Sequence, residues 1–174
     1  MSLAALFHRK YRNTVQALYG AIVAASRARI FYEDWGVPDT LDGRFELIAL
    51  HTFLAMRRLK QSGDSAAFSQ ALFDTMFGDL DRNLREMGVG DLSVGRQVKT
   101  MAKAFYGRIR AYERGLAGTE SLDEALRRNL YGTVAPSAAQ IAAAAAYLRR
   151  QAQVLDAAPV GRLLSGELPL AAED

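Results

Sequence analysis

An all-α fold, a single compact domain of about six or seven helices packed as an irregular bundle, is predicted by three observations. Apolar residues recur at three- and four-residue spacing along the whole chain, and no alternating stretch of strand length interrupts them. Helix-capping residues stand where those stripes begin. A chain of 174 residues also hides roughly 70% of its unfolded surface on folding, enough for one core without staples or metals.

The elements follow in order. Tyr11, Val15, Leu18, Tyr19 and Ile22 form the stripe of a first helix. Trp35-Gly36-Val37-Pro38 then breaks the chain, and Asp39 or Thr40 can cap a helix whose first turn carries Asp42 near the positive dipole end. Leu41, Phe45 and Ile48 bury that helix, and Ser62-Gly63-Asp64 ends it. Phe68, Leu72, Met76, Leu80, Leu84 and Met87 mark the inner face of the next. Gly88 and Gly90 supply a C-cap and turn, with Asp91 or Ser93 placed to cap the helix that follows. Ser121-Leu122-Asp123-Glu124 and Ser137-Ala138-Ala139-Gln140 both fit the capping box and start two further helices. The domain is expected over residues 1–158, with residues 159–174, broken by Gly161, Gly166 and Pro169, as an irregular tail laid on the surface.

Charge is distributed in blocks. Residues 1–32 carry +5 with no acid, residues 64–81 carry −4, and residues 82–114 set eight bases against three acids. The net charge is +3 and the isoelectric point near 9.3, which permits an anionic partner without demanding one. No cysteine is present, so disulfides, thiolate metal sites and a cysteine nucleophile are excluded. The uncharged stretch over residues 132–148 is rich in alanine with a proline and polar residues, a helix rather than a membrane span. The start lacks a secretory pattern, and its unbroken stripe favours a folded helix over a transit peptide. A cytoplasmic location is expected, with peripheral attachment at the inner face of the membrane compatible with the charge pattern.

The helix after Gly90 carries the functional argument. At 100° per residue Val94, Val98, Met101, Phe105, Ile109 and Tyr112 fall on one side, and Arg96, Lys99, Lys103, Tyr106, Arg110 and Arg114 on the other. Like charges at such spacing repel and weaken the helix. A solvated face explains an ordinary basic helix, but a cationic row with an aromatic in its middle also suits phosphate, anionic lipid or an acidic peptide. The candidate partner-binding residues are Arg82, Arg85, Arg96, Lys99, Lys103, Tyr106 and Arg110.

No catalytic constellation assembles. His51 has Leu47, Ile48, Leu54 and Ala55 as helical neighbours, and His8 has only Arg9 and Lys10, so each reads as structural rather than as a ligand. Gly90 to Gly95 has phosphate-loop spacing, yet Arg96-Gln97 stand where lysine and serine or threonine are needed. A dinucleotide fingerprint fails at Ser93. Asp79 lies on a different helix face from Asp74 and Asp81, which stand two turns apart, against a cation site built from the three alone. No cofactor, no metal and no enzymatic activity are expected, and nothing calls for specific DNA or a small-molecule substrate.

The segments GVPDTLDGRFELIALH (residues 36–51) and MFGDLDRNLREMGVGDLSVG…VK…AFYGR…AY (residues 76–112) resemble the ubiquinol-cytochrome c chaperone family. The likeness covers residues 19–112 well and the later helices more weakly, and the chain is similar to the shorter bacterial type. It implies an assembly factor for the respiratory cytochrome bc complex that holds newly made cytochrome b and associates with the ribosome near its exit site. Matching positions are Arg44, Phe45 and His51 in the first segment, and Asp79, Asp81, Arg82, Arg85, Glu86, Met87, Lys99, Phe105, Tyr106, Arg108 and Tyr112 in the second. The partners so implied are cytochrome b and the ribosome, and the basic helix face by itself also suits an anionic membrane surface. A general RNA-binding or ribosome-associated helical module remains the competing reading, and a haem carrier using His51 or a methionine a minor one.

Overall fold

Helix α3, Leu41–Gln61, is the element around which the others are laid. Almost every residue from Gly43 to Ala55 is buried, because partners cover it on several sides. The computed structural model describes residues 3–63, 65–132 and 134–171, with side chains from Tyr11 onward. His8 and Asp64, both singled out from the sequence, and the last three residues of the tail lie outside those described side chains. No strand occurs among the described residues, so the all-α expectation holds.

Helix α1, Leu3–Ala25, lies along α4, Ala66–Glu86. Val15, Leu18 and Ile22 are buried between α1 and its neighbours, as their spacing predicts. The short α2, Arg29–Glu33, places Phe31 in the core beside Trp35 and Tyr147. Helix α5, Asp91–Leu116, touches α4 on one side and α6, Leu122–Leu126, near its far end. A π-helical turn, Arg127–Tyr131, leads from α6 toward α7, Ala138–Ala157. One apolar cluster joins α1, α3, α6 and α7, and a smaller one, including Phe45, Met76, Phe77, Leu84, Val94 and Phe105, wedges α3, α4 and α5 together.

Several capping expectations are settled by geometry. Thr40, not Asp39, caps α3, its Oγ1 accepting from Gly43 N–H at 3.2 Å, while Asp39 pairs with Arg44 at 2.6 Å. Ser137 and Gln140 complete their box in both directions. Ser121 accepts from Glu124 N–H, but the Glu124 carboxylate turns to Arg127 instead. For α5 the cap is Gly90, and Asp91 is the first helical residue; neither Asp91 nor Ser93 caps it. Phe68, Leu72, Met76, Leu80 and Leu84 line the inner face of α4, whereas Met87 is 60% exposed. The helix has already ended there: Gly88 takes φ +85° and Val89 N–H donates to Leu84 O, turning the chain away and leaving Met87 at the corner.

The stretch after Pro159 is not irregular throughout. Helix α8, Val160–Leu164, buries Leu163, and Gln151 holds the backbone of Ala171 with two hydrogen bonds of 2.7 and 3.2 Å. The turn chemistry of Gly161 and Pro169 conceals an apolar anchor that spacing alone does not announce.

Gly43 is required by close approach. A Cβ there would lie 2.0 Å from the carbonyl oxygen of Pro38, which is backbone and cannot swing aside. Gly43→Ala is expected to destabilise the fold by about 3 kcal/mol, although alanine is the better helix former by about 1 kcal/mol. Urea unfolding of the two proteins measures this, and an unchanged or higher midpoint for the variant would show that the loop gives way freely.

Candidate docking site

Helix α5 begins where the Gly88 turn releases the chain and is fixed to the body by its inner face. Val94, Phe105, Tyr112 and Gly115 are buried, and Val98, Met101 and Ile109 are half-buried against α3 and α4. The opposite face is left to solvent: Arg96, Lys99, Lys103, Tyr106 and Arg110 are all exposed. Among the described residues, none of the four cations in that group has an ion-pair partner. Tyr106, 49% exposed, lays its ring nearly parallel to Phe73 of α4 with centroids 5.4 Å apart. The ring is thus held against α4 on one side while about half of the residue stays open to solvent.

The seven sequence-derived candidates divide in two. Five lie together on α5, and Arg82 and Arg85 lie on α4 with their charge already engaged. Arg82 meets Asp79 at 3.0 Å, and Arg85 meets Asp81 at 2.6 Å and also Asp91. The hydrogen bond from Arg85 holds the Asp81 carboxyl below the usual carboxylate range. Arg114, at the far end of α5, is engaged by Glu120 at 2.6 Å.

Two residues went unnoticed in the sequence. Leu92 is 91% exposed at the start of α5 and precedes Arg96 by one helical turn. Glu46 sits in the apolar run of α3 and receives a two-pronged contact from Arg108 of α5, through Nε at 2.6 Å and Nη2. Burial lifts the Glu46 carboxyl above its ordinary range, and Arg108, which counters part of that rise, also lies 6.0 Å from the Phe45 ring. The signal for both was available: an aliphatic residue on the polar face of one helix, and an acid on the apolar face of another.

A second concave surface, of about 690 Å³, opens between α1, α2, the start of α3 and the end of α4. Its floor includes Phe45, Ile48, Met76 and Leu80. At its wall Tyr19 donates to Asp79 Oδ2 at 2.9 Å, and burial with the adjacent carboxylate pushes the phenol upward. Arg44, Asp79, Glu86 and Met87, matched through the resemblance, stand around it. It can accept an apolar segment flanked by charges of either sign.

His51 is fully buried. Its Nδ1 lies 2.8 Å from Leu47 O and 3.2 Å from Ser26 Oγ, and its Nε2 lies 2.7 Å from the Tyr147 hydroxyl. A carbonyl can only accept, so the proton belongs on Nδ1 and Nε2 accepts from Tyr147. Burial drives its pKa down to about 4. Among the described residues, no group of three or more His, Asp and Glu side chains stands as a metal-ion site. Nor is any described helix long and apolar enough to cross a membrane.

Comparison with known proteins adds the following. The ubiquinol-cytochrome c chaperone family matches residues 33–171. The ubiquinol-cytochrome-c reductase complex assembly factor 1 of Xenopus laevis is 28% identical over 177 residues, spanning 97% of this chain and 88% of that protein. Its Homo sapiens counterpart is 27% identical over 155 residues, spanning 87% of this chain and 52% of that protein, so this chain has about half the human protein's length to compare. Among solved structures, the Cbp3 homolog from Brucella abortus superposes with a TM-score of 0.82 at 33% identity, covering 98% of this chain and 97% of that one.

Proposed function

Because the chain belongs to the ubiquinol-cytochrome c chaperone family, we propose that it is a non-enzymatic assembly chaperone that binds newly made cytochrome b. In this reading it supports assembly of the ubiquinol-cytochrome c reductase complex and docks at its place of work through the exposed face of α5. The family and its assembly-factor relatives support the biological role. The observation that carries the docking surface is the row of cations on α5 with no internal partner, beside internal ion pairs at most other arginines of the helical body. Unpaired like charges in line weaken a helix slightly, and an anionic surface offsets that cost. Cytochrome b is a membrane protein, and an exposed cationic face is a surface by which a helper can work beside a membrane.

Complementation tests this reading. Deleting the gene is expected to lower ubiquinol-cytochrome c reductase activity in membranes while leaving succinate dehydrogenase activity unchanged. Wild-type protein restores it. Lys99→Glu with Lys103→Glu is expected to restore less than about a tenth, since each lysine contributes about 1 kcal/mol at an anionic surface and reversal counts twice. Both side chains are exposed, so the fold is retained. Full rescue by that variant would remove α5 as the docking face. A fall of both activities on deletion would favour the general ribosome-associated module instead.

A further inference from the structure

The exposed side of α5 is straighter and longer than its charge alone requires. Leu92, Arg96, Lys99, Lys103, Tyr106 and Arg110 follow at steps of four, three, four, three and four residues. At 100° per residue all six lie within about 40° of one line, which runs about 27 Å along the helix. Cations occupy the middle and one end of that line. At the other end stands Leu92, 91% exposed, with Met87, 60% exposed, at the adjoining corner of the α4–α5 turn. The acid next to Leu92, Asp91, pairs with Arg85, which offsets part of its charge, and the four cations further along the line outnumber it. Beside the line, Phe73, Phe77, Val98 and Ala102 floor a shallow apolar depression.

We propose that this stripe docks on an anionic lipid bilayer, with Leu92 inserted among the acyl chains and Arg96, Lys99, Lys103 and Arg110 on the head groups. The proposal deepens, and rests on, the reading of α5 as the docking face. A bilayer surface is extended and flat, matching a line of contacts rather than a pocket. Basic residues with an aliphatic anchor and an interfacial tyrosine are the side-chain set by which a helix lies in that plane. A nucleic-acid backbone would use the same cations and could stack a base on Tyr106, but it gives a nearly bare leucine nothing to enter. Tyr106, held by Phe73, stands where an aromatic sits at head-group level.

Flotation of the purified full chain with vesicles tests this. The protein is expected to float with vesicles of equal parts phosphatidylcholine and phosphatidylglycerol, and not with phosphatidylcholine alone. Binding should vanish at about 1 M salt, where screening shortens to about 3 Å. Leu92→Ser is expected to weaken binding about tenfold and Lys99→Glu with Lys103→Glu at least a hundredfold, with helix content unchanged by circular dichroism. Equal binding to both vesicle types, or undiminished binding by Leu92→Ser, would overturn the proposal. So would salt-sensitive binding to total RNA without binding to anionic vesicles. The two readings fail separately: loss of reductase rescue by the double reversal without any vesicle binding keeps α5 as the docking face and removes the lipid. Vesicle binding that the double reversal abolishes while rescue is complete keeps the lipid surface and removes its role in assembly.

Discussion

Arg108→Ala is expected to lower stability by about 3–5 kcal/mol, a loss of about 10 °C in melting temperature for a chain of this size. The cause is what the substitution leaves behind. Glu46 is only 8% exposed, and among the described residues Arg108 of α5 is the one that hydrogen-bonds its carboxylate, with two bonds. Without the guanidinium a carboxylate remains in the wedge between α3 and α5, beside Phe45 and among the apolar contacts of the smaller cluster. A double-mutant cycle separates this penalty from the worth of the pair. Replacing both residues by leucine should recover all but about 1 kcal/mol, because no charge is then stranded. Acid should narrow the deficit of Arg108→Ala: burial already favours the protonated carboxyl, and a folded state that binds a proton more readily gains stability as pH falls. A deficit under about 1 kcal/mol at neutral pH would mean that water reaches Glu46 freely.

The second large effect concerns His51 and pH. In the folded chain its pKa is about 4, against an ordinary value of 6.5. Between those values the unfolded chain binds a proton that the folded chain refuses, so stability rises with pH across that window. The contribution is complete above pH 6.5 and is lost as pH falls toward 4, amounting to about 3 kcal/mol. His51→Gln can still accept from Tyr147 and does not titrate. The difference in unfolding free energy between wild type and variant should therefore shrink by about 3 kcal/mol from pH 7 to pH 4. A difference independent of pH would show that His51 is protonated with the rest of the chain.

The amphipathic elements were legible because their two faces do not mix. In α5 the inner stripe from Val94 to Tyr112 and the outer row from Arg96 to Arg110 are separated by spacing alone, and the structure buries one and exposes the other. What spacing cannot give is a partner on another helix. Glu46 meets Arg108 across 62 residues and His51 meets Tyr147 across 96, so neither pair leaves a local signature. Local backbone also decides against local composition: Gly90 caps α5 although Asp91 and Ser93 are the better cap formers, because the turn after Gly88 delivers Gly90 in extended conformation. Leu92 was passed over for a different reason. An aliphatic residue at a helix start reads as core until its register shows it on the charged side.

The central position of α3 has a consequence for synthesis. Its partners come from both directions: α1 precedes it, but the Arg58 guanidinium donates to Ala158 O, Arg57 pairs with Asp156, and His51 waits for Tyr147, all about a hundred residues downstream. A ribosome adding about 5–20 residues per second makes α3 roughly 5–20 seconds before the helix that covers its far side. During that interval α1, α3 and α4 can associate, but the side of α3 meant for α7 stays bare. The main core therefore closes from its C-terminal end, and the last helices act as the latch that completes it.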